Sequence, residues 1–145
     1  MPHHSEQRFM PYRADELYDL VADVAKYPEF LPWCLGARLH HVKETDFHAD
    51  LIIGFKMFKE RFTSHVKLTP KSQIEVDYVK GPLKRLYNEW TFTPIERGTM
   101  ISFEVDFEFN NVILEKLIGT LFEESLFRMT NAFEARAAAV LTPIS

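Results

Sequence analysis

Few residues in this sequence stand in a pattern that could do chemistry. The single cysteine, Cys34, closes the run VAKYPEFLPWC at residues 24–34. A thiol with a distant histidine could serve as a nucleophile, but no orienting signature surrounds it, and it reads as a small buried thiol. The six histidines are His3, His4, His40, His41, His48 and His65. None forms a helical i, i+4 pair or neighbours a cysteine cluster, so their spacing indicates no metal site. His48 and His65 fall on polar strand faces and read as surface side chains. Polar residues at apolar positions are more telling. Ser64 and Asn88 alternate with apolar residues, and Arg136 falls near the middle of a helical apolar stripe. A buried polar group costs free energy unless it is hydrogen-bonded. All three side chains can donate, so they could hold a ligand rich in acceptor oxygens. Arg136 has two plainer uses: to snorkel near the helix end, or to pair with a strand carboxylate. Asn88 could equally mark a bulge or a rim. The inner faces carry no His, Asp or Glu, so the acid–base pair that an enzyme would need is missing there.

The elements that must position these groups follow from periodicity. Residues 4–12 read as a strand stopped by Pro11. Residues 14–24 place Leu17, Leu20, Val21 and Val24 at i, i+3, i+4 and i+7, an amphipathic helix. Asp15 and Glu16 suit its first turn, whereas Arg13 occupies the N-cap position that a Ser-like residue would favour. Tyr27-Pro28 ends this helix, and Pro28 can open a second short one. From Gly36 to about Asn110 the period becomes two. Phe47, Ala49, Leu51, Ile53, Phe55 and Met57 share a face; so do Phe62, Ser64, Val66 and Leu68, then Ile74, Val76 and Tyr78. Leu86, Asn88, Trp90 and Phe92 follow, then Ile101, Phe103, Val105, Phe107 and Phe109. With residues 37–43 this makes six consecutive strands, an antiparallel meander with one wet face. Residues 111–141 read as one long helix ended by Pro143. Its stripe holds Leu117, Ile118, Leu121, Phe122, Leu126, Met129, Phe133 and Val140. Val112, Ile113 and Leu114 broaden this surface, and Phe127 lies outside it. The fold class is therefore α+β: a curved antiparallel sheet of about seven strands wrapped around a long C-terminal helix, with two short helices after the first strand.

Composition bounds the rest. The chain of 145 residues fits one domain, 1–145. One cysteine excludes an internal disulfide and suits a reducing compartment. No basic segment leads into an apolar run, and no uncharged apolar run reaches ~18 residues, so neither a signal peptide nor a membrane span is expected. The net charge of −4 argues against nonspecific nucleic-acid binding, although Lys80, Lys84 and Arg85 form a local basic cluster. Thirteen phenylalanines must fill a thick core, line a cavity or cover an interface.

With this element order, the segments DVAKYPEFLPWC, GFKMFKERFTSHV and AFEARAAAVL complete a likeness. The chain resembles the START-like, helix-grip superfamily of polyketide cyclases and lipid-transport domains. Within it, the chain looks like the coenzyme-Q-binding branch, whose bacterial members are also described as ribosome-association toxins. The resemblance implies an apolar cavity between sheet and long helix that binds ubiquinone or a similar isoprenoid lipid, with the short helices shaping its rim. It implies a non-catalytic carrier supporting respiration, cytoplasmic and peripherally membrane-associated, with no cofactor and no metal. The ligand-binding residues expected on that basis are Phe30, Leu31, Trp33, Ser64, Asn88, Trp90, Phe92, Phe103, Phe107, Phe122, Met129, Phe133 and Arg136. About fifteen buried isoprenoid carbons at ~0.8 kcal/mol each contribute roughly 12 kcal/mol gross. A membrane offers the tail nearly the same environment, so selectivity must come from headgroup contacts. Two alternatives stand beside this reading: a factor that binds the large ribosomal subunit and blocks subunit association, and a cyclase-like enzyme. The first half of the long helix is the segment expected to touch a membrane, or else a dimer partner.

Overall fold

The computed structural model describes residues 3–55 and 58–144, and for Phe127 the backbone only. Met57 and the Phe127 side chain therefore lie outside the described residues. Seven strands run β1 (His3–Met10), β2 (Cys34–His40), β3 (Asp46–Phe55), β4 (Phe58–Thr69), β5 (Gln73–Lys80), β6 (Leu83–Ile95) and β7 (Gly98–Phe109). Helix α1 (Ala14–Ala22) and a 3-10 helix (Val24–Glu29) follow β1, and α2 (Val112–Val140) follows β7. The strands form one antiparallel sheet in the order β1-β7-β6-β5-β4-β3-β2. The meander of β2 to β7 is the one the period-two pattern predicts. β1 reaches the far side of β7 because the connection through the short helices carries the chain across the sheet. The register slips between Cys34 and Gly36, between Thr63 and Ser64, and between Leu83 and Arg85. Such irregularities increase local twist and let a sheet curl around a helix.

Local chemistry accounts for the helix ends. Arg13 is the N-cap of α1 and provides no side-chain cap; it pairs instead with Asp15, Nη2 to Oδ2 at 2.9 Å. Asn111 caps α2, its side chain accepting from the N–H groups of Ile113 at 2.8 Å and Leu114 at 3.2 Å. This satisfies two of the donors that a helix start leaves open. One expectation needs correcting. Pro28 does not begin the second short helix; it lies in the last turn of the 3-10 helix. Lys26 N–H bonds Asp23 O at 3.1 Å, and Phe30 and Leu31 N–H bond Tyr27 O at 3.2 and 2.9 Å. That ladder makes no use of an N–H at residue 28, so a proline fits there.

The buried positions of α2 are Ile118, Phe122, Leu126, Thr130, Phe133 and Ala137. Their spacing of three and four residues draws a single narrow stripe. Leu117 and Val140, expected on that stripe, are 71% and 52% exposed, because the sheet contacts a narrower face than the apolar residues offer. The stripe meets the sheet through two aromatic clusters. In the first half of α2, Phe122 packs on Phe107 at 4.9 Å between ring centroids, on Phe109 at 5.7 Å, on Phe62 at 6.3 Å and on Phe55 at 6.5 Å. Eleven residues on, Phe133 packs on Trp90 at 5.1 Å, Phe30 at 5.2 Å and Tyr27 at 5.4 Å. The helix thus rests on two supports.

Candidate functional site

Between these supports the sheet curves away from α2 and leaves an apolar cavity of about 130 Å³. Along α2 it is lined by Phe122, Ser125, Leu126 and Met129, the residues from the first support toward the second. β3 and β4 contribute Ala49, Leu51, Ile53, Phe55, Phe62, Ser64 and Val66. β5, β6 and β7 add Ile74, Val76, Leu86, Asn88, Trp90 and Phe103, and the 24–34 segment closes one side with Val24, Tyr27, Leu31, Trp33 and Cys34. Leu51, Val76, Leu86 and Asn88, which line it from the sheet, are half-buried. The cavity is thus a stretch of sheet face left uncapped by α2.

Its polar content is small. Ser64 on β4, Asn88 on β6 and Ser125 on α2 join the Tyr27 hydroxyl, the Cys34 thiol and the indole N–H groups of Trp33 and Trp90 as its uncharged hydrogen-bonding side chains. Ser125 Oγ donates to Leu121 O at 2.9 Å, which leaves its lone pairs to accept. Tyr27 turns its hydroxyl away and donates to Val21 O. Burial pushes the Tyr27 phenol far above its ordinary range and the Cys34 thiol up to about 11. Both stay protonated near neutrality. Among the described residues, no Asp, Glu, His, Lys or Arg lines the cavity. Such a surface can bind and orient an apolar molecule with a few polar atoms, and it offers no group that shuttles protons near pH 7.

Of the residues expected to bind ligand, Leu31, Trp33, Ser64, Asn88, Trp90, Phe103, Phe122 and Met129 come together in this lining. Five stand elsewhere. Phe133 and Phe30 build the second support, Phe107 builds the first, and Phe92 packs on Tyr18 at 5.7 Å. Arg136 also lies outside: its Nη2 donates to Glu29 Oε1 at 2.7 Å and its guanidinium sits 5.0 Å over the Phe30 ring. The long side chain reaches a carboxylate and an aromatic face at the edge, which removes any reason to bury its charge. The carboxylate belongs to the 3-10 helix, where the sequence suggested a strand. Ser125, Tyr27 and Cys34 are lining residues that sequence reasoning did not select. Ser125 lies between Phe122 and Met129 on the helix surface, a spacing that could have revealed it.

The fold and site define a class: a helix-grip domain whose sheet and long helix enclose an apolar cavity. A family model described as polyketide cyclase / dehydrase and lipid transport matches residues 10–134. The chain belongs to that family. It is 36% identical over 141 residues to the ribosome association toxin RatA of Escherichia coli K12, covering 97% of this chain and 89% of that protein. It is 31% identical over 135 residues to the mitochondrial coenzyme Q-binding protein COQ10 of Drosophila melanogaster, covering 90% of this chain and 56% of that one. Its structure matches the 18 kDa protein CC1736 of Caulobacter crescentus with a TM-score of 0.76 and 31% identity, over 97% of this chain and 98% of that one. No helix among the described residues is long and apolar enough to cross a membrane.

Proposed function

We propose that this protein binds a polyisoprenoid quinone, of the ubiquinone kind, in the cavity and serves as a non-catalytic carrier for it. The observation that carries the reading is the lining itself: aromatic and aliphatic walls with a few neutral hydrogen-bonding groups, Ser64, Asn88 and Ser125 among them, and no ionisable group charged near neutrality. A quinone ring is flat, apolar and edged by acceptor oxygens. Asn88 and Ser64 can donate to those oxygens while the walls take the ring and the first isoprenoid units. The likeness to a coenzyme Q-binding protein supports the same choice. The exposed Val112, Ile113 and Leu117 at the start of α2 provide an apolar contact for the membrane from which the lipid is drawn.

Solvent extraction of the purified protein followed by mass spectrometry, together with titration by a short-chain ubiquinone, tests this. Trp33 and Trp90 both line the cavity, so quinone should quench their fluorescence saturably, and Trp90→Leu should diminish the signal. The absence of any extracted lipid together with a flat titration would refute it.

A second reading, association with the ribosome, is favoured by the likeness to RatA across nearly the whole chain. The exposed Lys80 and Lys84 at the β5–β6 turn would offer a phosphate contact. Co-sedimentation with large ribosomal subunits at moderate salt separates the two readings, and Lys80→Glu with Lys84→Glu should abolish it if this surface is used.

A further inference from the structure

The outer face of the sheet carries a cluster that the cavity does not explain. His40 on β2 is the register partner of His48 on β3, and His48 is the partner of His65 on β4. Three imidazoles therefore cross three neighbouring strands in one row. His41 adds a fourth from the turn after β2, where its φ is 53°. Ring centroids lie 4.9 Å apart for His40–His41, 5.3 Å for His41–His48, 5.6 Å for His40–His48 and 4.6 Å for His48–His65.

Two carboxylates fix the row from its sides. His40 Nε2 lies 3.1 Å from Asp50 Oδ1, which also accepts from Thr63 Oγ1 at 2.7 Å. His65 Nε2 lies 2.7 Å from Asp46 Oδ2. An ionised carboxylate only accepts, so both Nε2 atoms donate, and the His40 Nδ1 is then the acceptor in its contact with His41. His40 Nδ1 faces His41 Nδ1 at 2.7 Å, and His48 Nδ1 is buried with no hydrogen-bond partner. A carboxylate behind an imidazole is also the arrangement that orients a metal-bound histidine and raises its basicity.

We propose that His40, His41 and His48 form a site for one divalent transition-metal ion of the borderline class, zinc, nickel or copper, with Asp50 positioning His40. A metal bound to imidazole nitrogen at about 2.0–2.1 Å stands roughly 3.2 Å from each ring centroid. Tetrahedral ligation then separates the centroids by about 5 Å, close to the 4.9, 5.3 and 5.6 Å of this triangle. As the side chains lie, no three ligating groups among the described residues converge on one point. Binding therefore turns the rings about their side-chain torsions. His41 is exposed, and His40 and His48 are half-buried on a solvent-facing sheet surface, so this movement displaces no core residue.

Calorimetric titration of Zn²⁺, and separately Ni²⁺, into the full chain at pH 7.5 tests the site. One saturable ion per chain is expected, with affinity reduced about tenfold or more in His48→Gln and in Asp50→Asn, the range typical of lost ligands and their supporting carboxylates. His41→Asn is the folding-neutral variant, since asparagine accepts the positive φ of that turn, and it should weaken binding while circular dichroism stays unchanged. His3→Gln with His4→Gln, on the opposite edge strand β1, should leave binding intact. The proposal falls if no saturable uptake occurs, if uptake persists in His41→Asn and His48→Gln together, or if it disappears with His3 and His4.

Discussion

Ser64, Asn88 and Ser125 are the places where the cavity can distinguish one apolar guest from another. A hydrogen bond contributes about 0.5–1.5 kcal/mol net. Ser64→Val and Asn88→Leu should therefore each weaken quinone binding by about three- to tenfold, as read by tryptophan quenching, while binding of an alkane chain without a headgroup is unaffected or improved. Cys34 makes a sharper prediction. With its thiol pushed up to about 11 by burial, the thiolate fraction at pH 8 is about one in a thousand, against roughly a quarter for an ordinary cysteine. Iodoacetamide should label the native chain some two orders of magnitude more slowly than the urea-unfolded chain, and labelling should accelerate as pH rises toward 11. Labelling at the unfolded rate would show that the wall near Trp33 opens freely. At this scale the sequence was partly legible. Ser64 and Asn88 betrayed themselves as polar residues in apolar alternation. Arg136 did so too, but a stripe position says where a side chain starts and not where a long one ends. Its real partner, Glu29, stands 107 residues earlier and no periodicity connects the two.

The elements were largely legible because strand and helix leave different periods in the residues themselves. Alternation in 47–55 and 101–109 marks β3 and β7 directly, and caps and prolines set the ends. Other features depend on neighbours. Pro28 opens a helix as readily as it closes one, and the placement was decided by Tyr27 O accepting from both Phe30 and Leu31. Leu117 is apolar and in phase with the stripe, yet exposed, because the sheet covers a narrower face of α2 than the stripe offers. The His40–His48–His65 row is invisible in sequence, since only strand register puts those residues side by side. The cap on α2 gives an element-scale prediction. Asn111→Ala removes an acceptor shared by two N–H groups and should cost about 1 kcal/mol. That appears as a fall in Tm of a few degrees, with hydrogen exchange quickening at Ile113 and Leu114 before it does at Phe133. A uniform change along α2 would contradict the assignment.

At the scale of the molecule, the cavity fills a gap between sheet and α2 that opens between the Phe122 and Phe133 contacts, while Thr130 ties the same helix to Glu6 of β1. Filling that gap adds contacts the empty protein lacks. A bound quinone at one hundred times its Kd should therefore raise stability by about 2.7 kcal/mol, measured as a rise in Tm that grows with ligand concentration. An unchanged Tm at saturating quinone would place the ligand elsewhere. The sheet order has another consequence, for the time course of synthesis. β1 is made first, yet its hydrogen-bonding partner β7 is made last, pairing His3 with Asp106 and Met10 with Thr99. While the chain is being translated, the first strand has no mate for roughly ninety residues or more, and its backbone donors and acceptors stay unpaired or occupied by other chains. Closing so large a loop is slow compared with forming the β2–β7 meander by successive hairpins. The nascent protein should pass through a meander with both outer edges open and β1 loose, a form prone to sticking to its own kind. Pulsed hydrogen exchange during refolding should find the amides of β3 to β6 protected before those of β1.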